Sequence, residues 1–238
     1  MPFKKRSIIL AAGRGRRLAP LTLTTPKPLL KVHGRECLDL LLTSIEEAGV
    51  RDHIIVIGHL GDLIVDYVSR RMLHSTHYSF VKQTTLNGTE GAMAAVKTDS
   101  SLMLNTSDCI LVTASDYVLK SKYIQSMLCS IYDNKADIVI GVRRIPAIEA
   151  AKKSIVSFRK DGRISKIYEK PIFSVTGPQW SAMLLFACTG AIWTHIRSHT
   201  TTPKGEKNIQ TAINSWIRSG ARALPLHIPG VIDLDLLI

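Results

Sequence analysis

Long apolar runs, clustered cysteines and aromatic surfaces are all missing from this chain, and each absence removes a class of function. No apolar run approaches the ~20 residues that cross a bilayer, so no membrane partner is expected. The start, Met1 to Arg6, is basic and leads into only a short apolar run, which argues against a secretory signal. Cys37, Cys109, Cys129 and Cys188 form no Cys-x-x-Cys pair. They read as buried free thiols in a reducing cytoplasm, not as a zinc site or a disulfide framework. Acids are also scarce: 19 Asp and Glu face 31 Lys and Arg, a net charge of +12. That excess suits nucleic acid, an acidic membrane surface or small polyanionic substrates. Aromatics make up only 6% and no nucleic-acid module is recognisable, so stacking platforms for bases are hard to find. Small polyanions are the preferred partners. The eight histidines (33, 53, 59, 74, 77, 195, 199 and 227) show no ligand spacing and read as structural or surface residues.

What is present is a soluble, globular composition, 45% hydrophobic and 21% charged over 238 residues, enough for a substantial core. Strand and helix alternate along it. Ser7 to Ala12 is a continuous apolar strand, Glu36 to Ala48 a helix ended by Gly49, and Ile54 to Ile57 a second strand. A helix from about Leu60 to Leu73 follows, then a strand at Phe80 and Val81, a helix from about Thr89 to Lys97, and a central strand Cys109 to Thr113. Lys120 to Tyr132 is helical and Asp137 to Val142 extended. The pattern predicts an α/β fold with a doubly wound, mostly parallel mixed sheet and ligands at the carboxyl ends of its strands. The second half adds a β-hairpin insertion, Ser154 to Phe158 and Ile164 to Glu169 around Asp161-Gly162. A long strand Ser181 to Ile192, a loop Thr202 to Gly205, a helix Glu206 to Arg218 and a last strand Ala221 to Pro225 complete it. No repeat or linker interrupts the chain, so residues 1–238 are expected to form one domain.

The most informative stretch runs from Ile8 to Pro28. Gly13 and Gly15 interleave with Arg14, Arg16 and Arg17 directly after the first strand. Glycines let the backbone turn sharply and point amide N–H groups at a ligand. Arginines add fixed charge and forked donors suited to phosphate oxygens. Lys27 stands between Pro26 and Pro28, which stiffen the backbone that presents it. The dinucleotide fingerprint is excluded because Leu18 stands where its third glycine belongs, and the P-loop because no Gly-Lys-Ser/Thr follows. The stretch predicts a device for holding a polyphosphate.

Leu10 to Thr22 and Pro26 to Leu30 resemble, almost position by position, the signature of the sugar-1-phosphate nucleotidyltransferases: Leu-Ala-Ala-Gly-x-Gly-x-Arg-Leu-x-Pro-Leu-Thr, then Pro-Lys-Pro-Leu-Leu. The resemblance implies a Rossmann-like fold and transfer of a nucleoside monophosphate from a nucleoside triphosphate to a sugar-1-phosphate. It implies Leu10, Ala11, Ala12, Gly13, Gly15 and Arg17 around the nucleotide, with Arg17 at its pyrophosphate end. Lys27 would act on the α-phosphate and the incoming phosphate. Gln83, five residues before Gly88-Thr89-Glu90-Gly91-Ala92, matches the family glutamine that reads the base edge, with Gly88 and Thr89 beside it. Glu90 replaces the usual alanine: outward it is a helix-start acid, inward it would repel phosphates.

Asp116, in Ala-Ser-Asp-Tyr after the central strand, stands where the family places a magnesium-binding aspartate, with Ser115 for glycine. The second metal carboxylate is Asp233, with Asp235 in reserve, in Val231-Ile232-Asp233-Leu234-Asp235. Mg²⁺ is the implied cofactor. Glu169-Lys170-Pro171 matches the segment whose glutamate meets sugar hydroxyls and whose lysine binds the sugar phosphate. Thr189-Gly190 matches the pair that closes on the sugar, while Ser154 replaces a sugar-contacting glycine. Gly205 to Asn214 resembles a further family helix. Two alternatives stay open: a CTP-dependent enzyme of a polyol or choline phosphate, and a non-catalytic regulatory relative. The presence of Arg17, Lys27, Asp116 and Asp233 favours an enzyme. The sequence leaves a homo-oligomer open.

Overall fold

The computed structural model describes residues 4–71, 75–172, 174–197 and 208–236. In chain order its principal elements are β1 (Lys5–Leu10), α1 (Cys37–Glu47), β2 (Asp52–Ile57), α2 (Gly61–Arg71), β3 (His77–Lys82), α3 (Thr89–Thr98), β4 (Cys109–Ala114), α4 (Ser121–Asp133), β5 (Ile138–Ile145), β6 (Ser154–Phe158), β7 (Ile164–Glu169), β8 (Gln179–Thr189), α5 (Gln210–Arg218) and β9 (Ala223–His227).

The nine strands form one sheet whose core runs β8-β4-β1-β2-β3. From β4 to β3 every pairing is parallel, while β8 lies antiparallel to both β4 and β5. The edge strand β9 joins β5 in parallel. The hairpin β6–β7 attaches antiparallel to the first residues of β8, through Ser181↔Ile155 and Ala182↔Ser154.

The central strands are largely apolar because both faces are covered. Ile8, Ile54 and Val112 are aligned across β1, β2 and β4 and pack toward α3 and α5, against Met93, Val96, Ile213 and Trp216. Their neighbours Ile9, Ile55 and Leu111 point the other way, against Leu41 and Ile45 of α1, Ile64 of α2 and Leu128 of α4. Adjacent residues therefore feed two separate cores, which makes three layers. Each fully buried Ile or Leu contributes about 1.5–3 kcal/mol of transfer free energy.

The expected strand Ser181 to Ile192 proves to be two pieces. β8 ends at Thr189, and Gly190–Thr194 is a 3₁₀ turn. At Gly190 the chain passes so close to the Asn105 carbonyl that an added Cβ would lie 1.9 Å from it, and the Gly190 N–H donates to the Asp108 carbonyl at 2.8 Å. The expected loop Thr202 to Gly205 lies outside the described residues. So do the first residues of the expected helices at Glu206 and of the motif at Gly205, the end of the helix at Leu73, and His74 and His199. Three cysteines are buried as expected, but Cys129 is exposed, on the outer side of α4. Among the described residues no helix is long and apolar enough to cross a membrane.

Candidate active site

A cleft of about 800 Å³ opens at the carboxyl ends of β1 and β4, where the chain reverses from one side of the sheet to the other. Its floor is Leu10 to Ala12 and Ala114 to Tyr117, and its rim the signature loop, Gly88-Thr89, the hairpin end Glu169-Lys170 and the start of β8.

The loop after β1 is held in shape by its own residues. Gly15 adopts a left-handed conformation, φ 60°, that other residues rarely take. The Thr22 hydroxyl donates to its carbonyl at 2.9 Å. A Cβ on Gly15 would lie 2.9 Å from Thr22 Cγ2 and 3.2 Å from Lys27 Cβ, so the loop folds directly over the Lys27 stem. Lys27 then opens a single 3₁₀ turn between its two prolines.

The second half of the centre comes from the far end of the sequence. Residues Ile232–Asp233 pair antiparallel with Tyr117–Val118, and the Leu234 N–H donates to the Asp116 carbonyl at 3.2 Å. Leu234 is buried beside Leu18, Val32 and Cys37, which anchors the segment. Asp116, Asp233 and Asp235 are thereby brought together, one carboxylate oxygen of each within 4.8 Å of the others. Both candidates for the second metal carboxylate, Asp233 and Asp235, belong to the cluster.

Three cations face these acids. Lys27 Nζ donates to Asp116 Oδ2 and, at 2.6 Å, to Asp235 Oδ1. Arg17 Nη1 donates to Asp235 Oδ2 at 2.8 Å, and Arg143 Nη2 to Asp233 Oδ2 at 3.3 Å. Burial alone would pull the Lys27 ammonium down, but Asp116 and then Asp235 outweigh it and hold it above its ordinary range. Beneath them the Tyr117 hydroxyl, pushed up by burial and then by Asp116, accepts the Leu184 N–H at 3.4 Å. Three oxygen donors at this spacing fit a hard divalent cation that shares its remaining positions with water and substrate phosphate.

Gln83, buried at the end of β3, donates through Nε2 to Asn87 Oδ1 and to the Gly88 carbonyl, both at 3.1 Å. With the NH₂ engaged, Oε1 is left to accept from a donor in the cleft. Glu90 points inward but away from the cleft. It is 1% exposed, neither carboxylate oxygen has a hydrogen-bond partner, and it is absent from the lining, so Gly88 and Thr89 keep their place there. At the other end the Ser154 hydroxyl donates to Glu169 Oε2, and Gln210 Nε2 donates to Ser154 Oγ at 3.3 Å.

Of the residues expected at the site, Leu10, Ala11, Ala12, Gly13, Gly15, Arg17, Lys27, Gln83, Gly88, Thr89, Asp116, Glu169, Lys170 and Asp233 all line one cleft. Thr189 and Gly190 do not. Thr189 pairs with Cys109, the first residue of β4, and therefore sits at the opposite end of the strand from Asp116. Antiparallel β8 presents its first residues to the cleft, so Ser181, Ala182, Met183 and Leu184 stand there instead. Arg143, Lys152, Lys153 and Gln210 also line it without having been singled out as site residues. In the sequence Arg143 is one half of the pair Arg143-Arg144. The alternation of a strand separates the two: Arg143 faces Asp233, while Arg144 lies over the Trp180 ring at 5.0 Å.

A cleft of this build, on a doubly wound sheet with cations and carboxylates converging at the strand ends, suits anionic phosphate ligands. Residues 6–228 match the family model of the nucleotidyl transferases, and the chain belongs to that family. It is similar to a UTP–glucose-1-phosphate uridylyltransferase of Haloferax volcanii, 24% identical over 227 residues that cover 94% of this chain and 88% of the relative. A shorter stretch of 57 residues is 46% identical to a 2-aminoethylphosphonate cytidylyltransferase of Lancefieldella rimae, covering 24% of this chain and 23% of that one. Among solved structures, a UDP-glucose pyrophosphorylase complexed with UDP-glucose superposes with a TM-score of 0.82 at 18% identity, over 98% of this chain and 94% of the other. That likeness is one of fold.

Proposed function

We propose that the chain transfers a nucleoside monophosphate from UTP or dTTP to a sugar-1-phosphate, releasing pyrophosphate and forming a nucleotide sugar, with Mg²⁺ as cofactor. The observation that carries this reading is the gathering of Lys27, Asp116, Asp233 and Asp235 at the strand ends, in one cleft that Gln83 and Glu169-Lys170 also line. A phosphate oxygen of the acceptor attacks the α-phosphorus in line. The new P–O bond forms as the bond to the β-phosphate breaks, and pyrophosphate leaves with that electron pair. No proton transfer and no covalent enzyme intermediate are needed, so catalysis is positioning and charge neutralisation.

Each group then has a task. The loop from Leu10 to Gly15 cradles the nucleotide and Arg17 holds the pyrophosphate end. Lys27 follows the α-phosphate as its charge rearranges. Asp116 and Asp233 would hold the metal, with Asp235 beside them, and a bound Mg²⁺ would neutralise charge on the reacting phosphate oxygens. Gln83 Oε1 accepts the imide N–H of uracil or thymine, and Lys170 steadies the acceptor phosphate. The four free thiols fit a reducing cytoplasm as the place of reaction. We take residues 1–238 as one catalytic domain.

One observation favours a second reading. Glu169 is already engaged by the Ser154 hydroxyl, to which Gln210 donates, leaving less of it for sugar hydroxyls, which would suit a polyol or choline phosphate with CTP as donor. A pyrophosphate-release screen of the nucleoside triphosphates against sugar and polyol phosphates tests both. UTP or dTTP with a hexose-1-phosphate is the expected best pair. Preference for CTP and a polyol phosphate would replace the first reading with the second.

A further inference from the structure

Asp235 stands apart from its two neighbours in the cluster. Asp116 is bonded to one cation and Asp233 to another, but Asp235 holds two with separate oxygens: Oδ1 accepts from Lys27 and Oδ2 from Arg17. These are the two cations that the proposed reaction assigns to the polyphosphate. Lys27 Nζ, moreover, bonds two of the three carboxylates whose oxygens lie within 4.8 Å of one another. An ammonium so placed takes up the room, and the charge, that a divalent ion would need.

The two contacts also differ in depth. The Arg17 side chain is 72% exposed and that of Lys27 only 13%, so Asp235 links the mouth of the cleft to its floor. The outer contact is screened and easily exchanged for an incoming anion, whereas the inner one is not. Asp235 itself cannot drift away. Its N–H donates to Asp233 Oδ1 at 3.1 Å, and the buried Leu234 before it fixes the segment against Asp116.

We propose that Asp235 couples the metal to the polyphosphate. With no divalent cation present, it neutralises Arg17 and Lys27 and adds a third negative charge to the floor, so a polyphosphate is received poorly. When a divalent cation enters the cluster, the carboxylate turns to the ion and both cations become free for phosphate oxygens. The linkage is reciprocal, since polyphosphate that draws Lys27 and Arg17 away also opens the cluster to the metal. This inference rests on the proposed use of the cleft for a nucleoside triphosphate and a metal.

The test is binding, not turnover. Titrate inorganic pyrophosphate and UTP into the wild-type chain and Asp235→Asn by calorimetry, once in EDTA and once in excess Mg²⁺. Asparagine keeps the size but loses the charge, so Asp235→Asn should bind pyrophosphate roughly two- to fivefold tighter than wild type in EDTA, the scale of one ion pair partly exposed to water. Its gain in affinity on adding Mg²⁺ should shrink by a similar factor. A second variant, Asp235→Ser, should behave alike, and thermal unfolding checks that both are folded. A residue that merely braces the loop would weaken binding in both media, and that result, or unchanged affinity in EDTA, overturns the proposal. If neither pyrophosphate nor UTP binds wild type even with Mg²⁺, the reading of the cleft fails and the coupling fails with it. Normal Mg²⁺-dependent UTP binding with no effect of Asp235→Asn removes the coupling alone.

Discussion

Lys27 owes its position to three separate constraints: a proline on each side, the stem packed under Gly15, and two carboxylates on its ammonium. With its backbone and stem so fixed, the cation costs little reorganisation when charge shifts in the transition state. Lys27→Ala should therefore lower kcat about 10²- to 10³-fold while changing the nucleotide KM far less. An unchanged kcat with a raised KM would reduce Lys27 to a binding residue. Asp116→Ala should abolish turnover yet leave the fold intact by circular dichroism, because a carboxylate at a strand end contributes little to the apolar core. Near-normal activity of that variant would remove it from the centre. Gln83 offers a different kind of test. With its NH₂ tied to Asn87 and Gly88, Oε1 needs a donor from the base, so the expected order is UTP or dTTP, then GTP, then CTP. A mismatched partner leaves a buried polar group unpaired, at about 1–3 kcal/mol. Gln83→Ala should flatten that order more than it lowers the best rate. A variant that keeps the full ranking would place base selection elsewhere.

At the scale of elements, the neighbouring strands β1 and β2 carry a buried polar pair through their centre. Ser7 lies opposite His53, and their side chains hydrogen-bond at 2.7 Å. The imidazole is fully buried and stacked on Tyr78 at 5.1 Å. Burial pulls its pKa from 6.5 down to about 4, with Arg71 and Arg51 adding to the effect against Glu46 and Asp52. The folded chain thus keeps His53 neutral where the unfolded chain binds a proton. Stability from this residue is complete above about pH 6.5 and is lost as pH falls toward about 4, at most about 3 kcal/mol. The carboxyls of Glu46 and Asp39, held below their ordinary range against burial by hydrogen bonds from Arg71, lose their contribution only at lower pH. Urea unfolding between pH 7 and pH 5 should show falling stability in wild type and a flatter profile in His53→Gln. An equal slope in both would assign the effect to other groups. In the signature loop, Gly15→Ala should cut activity at least about tenfold with a small loss of stability, since the Cβ meets Thr22 and the Lys27 stem in a left-handed backbone.

The molecule as a whole is strongly basic, at +12, and much of that charge is gathered at the cleft: Arg14, Arg16, Arg17, Lys152, Lys153 and Lys170 all line it. A cleft of one dominant sign raises the local concentration of anionic substrates. Raising ionic strength from about 0.01 M to about 0.15 M shortens the screening length from about 30 Å to about 8 Å. The KM for the nucleoside triphosphate should then rise severalfold with kcat nearly constant. A salt-independent KM would assign the charge to another partner.

What the sequence by itself determined were the features written in contiguous residues. The polyphosphate loop, Lys27 between its prolines, the hairpin at Asp161-Gly162 and the βα alternation all depend on local backbone preference and periodicity, which a linear reading detects. Asp116 was legible as an acid directly after the central strand, at the place where the resemblance implies a magnesium-binding aspartate. What only the tertiary structure decided were relations between distant segments. The union of Asp235 with Lys27 and Arg17 depends on a two-residue strand pair too short to leave a pattern. The misplacement of Thr189-Gly190 has a related cause, because the motif fixes identity but not direction. β8 runs antiparallel to β4, so its first residues, not its last, reach the cleft. Arg143 and Gln210 became site residues only when the sheet and α5 set which side of each element faces the cleft. Packing of remote surfaces makes that choice, and no single segment carries it.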